Sequence, residues 1–445
     1  MRAADNELLT RVGPDTPGGR FMRQYWVPAL MSSELEAGGA PLRLRLLGEN
    51  FVAFRSPDGQ VGIIDHRCAH RCASLFLGRN ESGGIRCVYH GWQFAPNGQC
   101  VDMPSEPPET EFSAKVRLKA AKIHEAFGVI WAYLGRREEA PGFPEFDIDK
   151  IPPEELTVRF TLRECNWLQA LEGDIDTVHV GFLHTGGAKP EQFEKGSLRY
   201  YGQKNRAPKY EAIPTRYGAM YTAYRPADDG ELYHRVGQFV YPFYAMSPPD
   251  PMGTIGMRGW IPVDDTHTMA VQIHGRRPSV ENLKQGPRQG GVAGAVLNFD
   301  YLPNTTDWYG RWRLRQNSAN DYMLDRERQH SGNYTGIEGI YLQDQAVTES
   351  MGPTSDRTHE HLGSSDRMVM LSRRQMLNAI IEFADSGAAP PGVDDPELFR
   401  SVRAGYMILP EQRDWLDEVN RYRKEWGGAA VPAIERTDSV VAARA

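Results

Sequence analysis

The chain has 445 residues, 40% hydrophobic and 24% charged, with a net charge of −7 and a pI near 6.0. That size allows two cores in one body, and the composition is ordinary for a globular enzyme. The acidic balance argues against a general nucleic-acid binder, and no apolar run reaches the ~18 residues of a membrane span. Five cysteines are too few for a disulfide framework at this size, so metal or redox use is the better expectation. The N-terminal MRAADNELLTRVGPDTPGGR lacks the apolar stretch of a secretory signal, so a cytoplasmic location is expected.

Residues 7–12 and 20–26 read as short helical or turn segments leading into YWVPAL. From about 42 the pattern is strand-like: LRLRLLG, then ENFVAFRSPDGQVGIIDH, with SPDGQ as a hairpin turn. WQFAPNGQCVDM repeats the device with PNG at its turn, and AKIHEAFGVIWAYLG is another strand pair. RREEAPGFPEFDIDKIPPEE is a Pro-rich acidic connector, which places a boundary around 137–155. A β domain over 1–150, with its core at about 25–137, is therefore expected before a larger α+β domain over 151–445. In that second part NWLQALEGDIDTVHVGFLH has helical spacing, and YHRVGQFVYPFYAM and TMAVQIHG read as strands. SDRMVMLSRRQMLNAIIEFADSG reads as a helix ending at Gly387, followed by helices in PELFRSVRAGYMI and DWLDEVNRYRKEW and a loosely held tail.

Residues 65–94, DHRCAHRCASLFLGRNESGGIRCVYHGWQF, hold three of the five cysteines and three of the twelve histidines. Cys68-x-His70 and Cys87-x-x-His90 have ligand spacing, each loop offering one thiol and one imidazole. A structural Cys₂His₂ zinc uses the same ligand types but keeps its cysteine pair and histidine pair in separate knuckles. A Rieske [2Fe–2S] centre, in which two thiolates hold one iron and two imidazoles the other, needs the interleaving seen here. Gly91, Gly83 and Gly84 suit tight loops whose N–H groups point at cluster sulfurs. His66 and Cys72 are left over, and Cys72 is expected to be a small, buried, unligated thiol.

Downstream, Asn166-WLQALEG-Asp174-Ile-Asp176-Thr-Val-His179-VGFL-His184 carries a second histidine pair. Residues five apart stand about 140° apart on an ideal helix, so the imidazoles converge only if the chain bends or unwinds near Gly181. Asp176, three before His179, shares its helical face, whereas Asp174 faces elsewhere and is expected to be solvated. His359 and His361 form a further pair, for which a structural role is expected.

Together the two constellations resemble the terminal oxygenase component of Rieske non-haem iron oxygenases. Within them the phthalate 4,5-dioxygenase group is the most similar, through HRCASLFLGRN, CVYHGWQF, VDMPSEP, CNWLQALEGDIDTVH and ESMGP. The resemblance implies a β Rieske domain followed by a helix-grip-like α+β catalytic domain. It implies that Asp-x-x-His-x₄-His is matched by Asp176, His179 and His184. The two histidines and a carboxylate, Asp344 in YLQDQAVTESMGP with Glu349 as runner-up, would hold mononuclear Fe(II) and leave positions open for O₂. Asp176 would bridge cluster and iron across a subunit interface of a trimer or stacked hexamer, through His90 or His70 of one subunit. Electrons would come from NAD(P)H through a separate reductase with flavin and ferredoxin-type iron–sulfur domains. An aromatic carboxylate is the expected substrate, with O-demethylation or aryl-ether cleavage of methoxy- or phenoxy-aromatic acids as the alternative. Arg206 and Arg235 are candidates for an anionic substrate, and Asn166 for a place near the iron. A Rieske electron carrier and a zinc-stabilised binding protein are remote alternatives. Cys72 stands where relatives carry Gly, and Ala69 where they carry Pro.

Overall fold

A computed structural model describes residues 1–186, 188–275, 299–331 and 333–436. The N-terminal part is built from antiparallel hairpins. Strands β1 (Trp26–Met31), β2 (Leu42–Leu46), β3 (Glu49–Arg55) and β4 (Val61–Asp65) precede the short β5 (Arg79–Glu81), β6 (Gly84–Arg86), β7 (Gln93–Phe94) and β8 (Cys100–Asp102). The last pair is β9 (Lys122–Ala126) and β10 (Val129–Tyr133). They form three sheets, β1-β10-β9, β2-β3-β4 and β5-β6-β7-β8. The SPDGQ turn closes by Ser56 N–H to the Gln60 carbonyl at 2.9 Å, as its sequence requires. At the PNG turn Gly98 has φ +84°, and a Cβ there would lie 2.3 Å from the Leu118 carbonyl oxygen, so no larger residue fits.

Two cores result. Val52, Phe54, Ile64, Leu75, Ile85, Trp92 and Phe94 pack with Cys68 and Cys87 into a small core under the Cys/His loops. The other faces of β3 and β4 join β1 and β10 in the main core, which runs without a break into the rest of the chain.

That second part is one eight-stranded antiparallel sheet. Its strands are β11 (Thr157–Arg163), β12 (Lys209–Thr215), β13 (Gly218–Pro226), β14 (Glu231–Val240), β15 (Tyr244–Met246), β16 (Gly256–Pro262), β17 (Thr268–His274) and β18 (Gly405–Pro410). Their order is β11-β17-β16-β15-β14-β13-β12, with β18 added to β14. The helices are α1 (Ala3–Thr10), α2 (Pro17–Met22), α3 (Trp167–Ile175), α4 (Leu198–Lys204), α5 (Arg326–Ser331), α6 (Ile340–Ser350), α7 (Arg367–Ser386) and α8 (Trp415–Gly427). The long α7 lies across β12 and β13 and stops at Gly387, whose φ of +70° gives the left-handed cap expected of it. This is the expected all-β domain followed by a sheet gripped by a long helix. Both α1 and α2 pack on α7, with the Phe21 and Phe383 rings 6.0 Å apart.

Three expectations are corrected. The segment RAGYMI, read as helix, is strand β18, which pairs Glu231↔Pro410 through Val236↔Gly405. Because β15 covers only residues 238–240 of β14, the first half of that strand has an open edge, and ladder pairing there outweighs helix propensity. The tail is anchored as far as Arg436: Ile434 is buried and exchanges two hydrogen bonds with Asn420, at 2.8 and 2.9 Å. Residues 437–445 lie outside the described residues. Asp174 is not solvated, since α3 lies on β15 and β16 and buries it against Arg258 and the Trp260 indole N–H.

Candidate metal centres

Each Cys/His loop is a tight turn closed on its own cysteine. Cys72 N–H donates to the Cys68 carbonyl at 2.9 Å, and Gly91 N–H to the Cys87 carbonyl at 3.0 Å. Cys72 (φ +59°) and Gly91 (φ +81°) thus occupy matching left-handed positions, four residues after a buried cysteine. Cys72 is exposed, which corrects the expectation of a buried thiol. A position with positive φ suits Gly better than Cys, in line with the Gly that the resemblance implies here.

Cys68 and Cys87 are buried, and the His70 and His90 rings face each other at 4.5 Å, His70 being stacked on Trp92. The Nδ1 atoms of both histidines are buried without a hydrogen-bond partner. Burial pushes the Cys68 thiol up to about 11, against the N–H groups of His70 and Arg71 that favour its thiolate. Two orphaned imidazole nitrogens beside two buried sulfurs are a donor set awaiting a metal group. The four do not converge: among the described residues the only group of three or more ligand atoms within 4.8 Å of one another lies elsewhere. A single zinc ion needs convergence, whereas a two-iron cluster does not.

That convergent group is His179, His184 and Asp344. Helix α3 ends at Ile175, so the histidines lie on an unwound stretch with a 3₁₀ turn at His179–Gly181. The two imidazoles meet because the helix stops before them. Asp176 caps α3 in an extended conformation, accepts the Val178 N–H at 2.8 Å and sets its other oxygen 3.3 Å from His179 Nδ1. Asp344, on α6, has one carboxylate oxygen 3.5 Å from His179 Nε2 and 3.2 Å from His184 Nε2. His184 Nδ1 lies 2.8 Å from Gln343 Oε1, which can only accept, so Nδ1 carries a proton and Nε2 is the nitrogen left to face Asp344 or a metal. Burial opposes ionisation of Asp344, yet His184, His179 and Arg163 hold its carboxyl below the usual range. The set fits a 2-His-1-carboxylate metal site.

Residues 25–120 match the Rieske [2Fe–2S] domain, and residues 132–440 match the family described as LigXa C-terminal domain like. The chain belongs to the Rieske non-haem iron oxygenases. This oxygenase is 44% identical over 418 residues to the 3-chlorobenzoate-3,4-dioxygenase oxygenase subunit of Comamonas testosteroni, covering 92% of this chain and 96% of that one. It is 36% identical to the phthalate 4,5-dioxygenase oxygenase subunit of Pseudomonas putida, over 94% of both chains. Its fold matches the crystal structure of dicamba monooxygenase bound to 3,6-dichlorosalicylic acid with a TM-score of 0.55 at 16% identity, covering 82% of this chain and 99% of that one. It is the terminal oxygenase component of a multicomponent system, with a Rieske cluster, mononuclear iron and O₂ as its reagents.

The other sequence candidates fall elsewhere. Asn166 caps α3, accepting Leu168 N–H and donating to the Thr10 and Asp265 carbonyls, so its polar atoms are used at the helix start and not at the iron site. Glu349 accepts from Glu164 N–H and the Tyr322 hydroxyl and stays outside the convergent group. His359 and His361 are exposed. Arg206 donates to the Gly186 carbonyl at 2.7 Å and to Gln203, and lies over the Phe182 ring. Arg235 is buried and points two nitrogens at the Thr177 and Pro248 carbonyls, each at 3.3 Å. Both arginines brace the histidine loop from behind, and with Arg199 and Arg225 they line a cavity roughly the size of one water. Sequence reasoning missed Gln343, because a neutral amide is not one of the His and carboxylate ligands of such an iron site and no ligand spacing marks it. Among the described residues no helix is long and apolar enough to cross a membrane.

Proposed function

We propose that the oxygenase hydroxylates an aromatic carboxylate, with Cys68, His70, Cys87 and His90 holding the cluster and His179, His184 and Asp344 holding Fe(II). When bound, the cluster relays single electrons and the iron activates O₂. The work of the chain is to bind, orient and exclude water. Asp176 fixes the His179 ring through Nδ1, which couples that ligand to whatever else the carboxylate touches.

The substrate class is carried by one observation: Arg199, Arg206, Arg225 and Arg235 line one cavity behind the histidine loop, and none has a carboxylate partner among the described residues. Burial, and then the neighbouring Arg235, bring the Arg225 guanidinium down to about 10. Uncompensated cations of this kind favour an anion nearby. The cavity is too small for an aromatic ring, so the arginines would act on a bound carboxylate through their field and not by enclosing the ring. The names of the two relatives above, a chlorobenzoate and a phthalate dioxygenase, point to the same class.

We further infer a homotrimer, single or stacked, in which Asp176 of one subunit meets His70 or His90 of the next. Exposed Leu77, Val88 and Tyr89 beside the cluster loops, and Phe182 and Tyr334 beside the iron loop, are apolar surfaces suited to such a contact. The connector at 137–155 separates the two roles, the location is cytoplasmic, and the partner is a flavin and ferredoxin-type reductase drawing on NAD(P)H.

The test is product analysis with a surrogate reductase, using phthalate, 3-chlorobenzoate, methoxy- and phenoxybenzoates and their uncharged methyl esters. Dihydroxylated acids with idle esters are expected. Formaldehyde from the methoxybenzoates would make the enzyme a demethylase, and esters turned over as fast as acids would remove the arginine argument.

A further inference from the structure

The two candidate iron histidines are held from behind by different chemistry. His179 Nδ1 faces a carboxylate, Asp176, whereas His184 Nδ1 faces the neutral amide of Gln343. Gln343 is 1% exposed, and its side chain has no freedom to choose which end it presents. Its Nε2 donates to Thr335 Oγ1 and to the Ile337 carbonyl, both at 2.9 Å. Turning the amide over would set its oxygen against the Ile337 carbonyl and an N–H against the His184 N–H, losing three hydrogen bonds at once. Thr335 is itself fixed, donating to Asn333 Oδ1 at 2.9 Å and accepting the Ile337 N–H at 3.1 Å.

We propose that Gln343 is a positioning residue for the iron site: held by the 333–337 loop, it fixes the tautomer and ring plane of His184 so that Nε2 points to the metal. The proposal rests on the reading of His179, His184 and Asp344 as the iron ligands. An amide acceptor orients the ring without adding negative charge, so His184 is the passive anchor of the pair and His179 the ligand open to electrostatic coupling. The adjacent positions 343 and 344 on α6 would then serve one metal, one by ligation and the other by orientation.

The test uses the full-length chain stripped of mononuclear iron and titrated with Co(II), read by its d–d absorption, with the Rieske absorbance as the control for folding. Gln343→Leu is expected to lower Co(II) affinity by about 10–100-fold and to shift or broaden the d–d bands, while the cluster spectrum stays. Thr335→Val, which loosens the amide but leaves it in place, should lose less than about tenfold. Gln343→Leu with wild-type affinity and bands would overturn the proposal. Should that variant also lose its cluster spectrum, Thr335→Val decides: a measurable loss of affinity with shifted d–d bands and an intact cluster supports the positioning role, and wild-type affinity with unchanged bands overturns it. His184→Ala separates the two levels of inference, because affinity unchanged in that variant refutes the ligand set itself.

Discussion

The two metal regions of this oxygenase are built on opposite plans. The cluster loops are local: the proposed ligands, turn-closing hydrogen bonds and the Trp92 ring beneath His70 all fall within residues 66–92. The proposed iron site is distributed. Its histidines sit where α3 has ended, its carboxylate and Gln343 come from α6, and its backing arginines come from β14 and the region of α4. A local site depends on the conformation of a few residues, whereas a distributed one depends on the register of elements far apart in sequence.

The sharpest way to break this comparison is to remove ligands. Cys68→Gly should abolish the cluster absorbance completely, and His179→Ala or His184→Ala should empty the iron site yet leave that absorbance intact. Loss of the cluster spectrum in a histidine variant would mean that the two regions do not separate. Next in size, Asp176→Asn should keep both metals and lose turnover by about 10–100-fold, measured by single-turnover product yield after reduction of the cluster. Normal yield would deny Asp176 any coupling role.

The distributed plan also has a stability signature. Glu172 on α3 pairs with Arg357 at 2.8 Å and Arg373 at 2.5 Å, all three nearly inaccessible to solvent. Glu172→Gln should cost about 3 kcal/mol in urea unfolding at pH 7, because buried Arg357 loses its close counter-charge while Arg373 keeps Glu360. Burial works against the Glu172 carboxylate, yet the two arginines hold its carboxyl below the ordinary value. A depressed folded value means that this stabilisation is complete above the ordinary glutamate range and is lost as pH falls through the lowered value. The wild-type should therefore lose more stability on acidification than the glutamine variant. The smallest effect belongs to the local plan. Cys72→Gly should keep the cluster and gain at most about 1 kcal/mol, since glycine relieves the left-handed strain at φ +59° but adds freedom to the unfolded chain. A destabilised Cys72→Gly would show that the thiol makes a contact of its own.

This division also governs what the sequence made legible. The paired Cys/His loops, the hairpin turns and the end of α7 at Gly387 could be read directly, because each depends on neighbours a few residues away. Asp344 could be placed only through the resemblance around YLQDQAVTESMGP, since nothing local distinguishes it from the other acids of that half. Helical spacing suggested that Asp176 and His179 share a face, and they do pair, but by a capping turn past the helix end. Gln343, the anchoring of Asn166 and the strand at 405–410 all depend on partners more than 90 residues away, at His184, Asp265 and β14. Periodicity carries no information about which distant edge or carbonyl a segment will meet.

The packing of α1 and α2 on α7 sets a timetable for biosynthesis. Thr10 leaves the ribosome long before Arg367 is made, and at ordinary elongation rates the wait is roughly 20–70 s. During that time the apolar faces of Leu9, Phe21 and Met22 lack their final cover. Nascent chains of this oxygenase should therefore engage holding chaperones early, and shortening the chain before Ser386 should harm the first domain as well as the last.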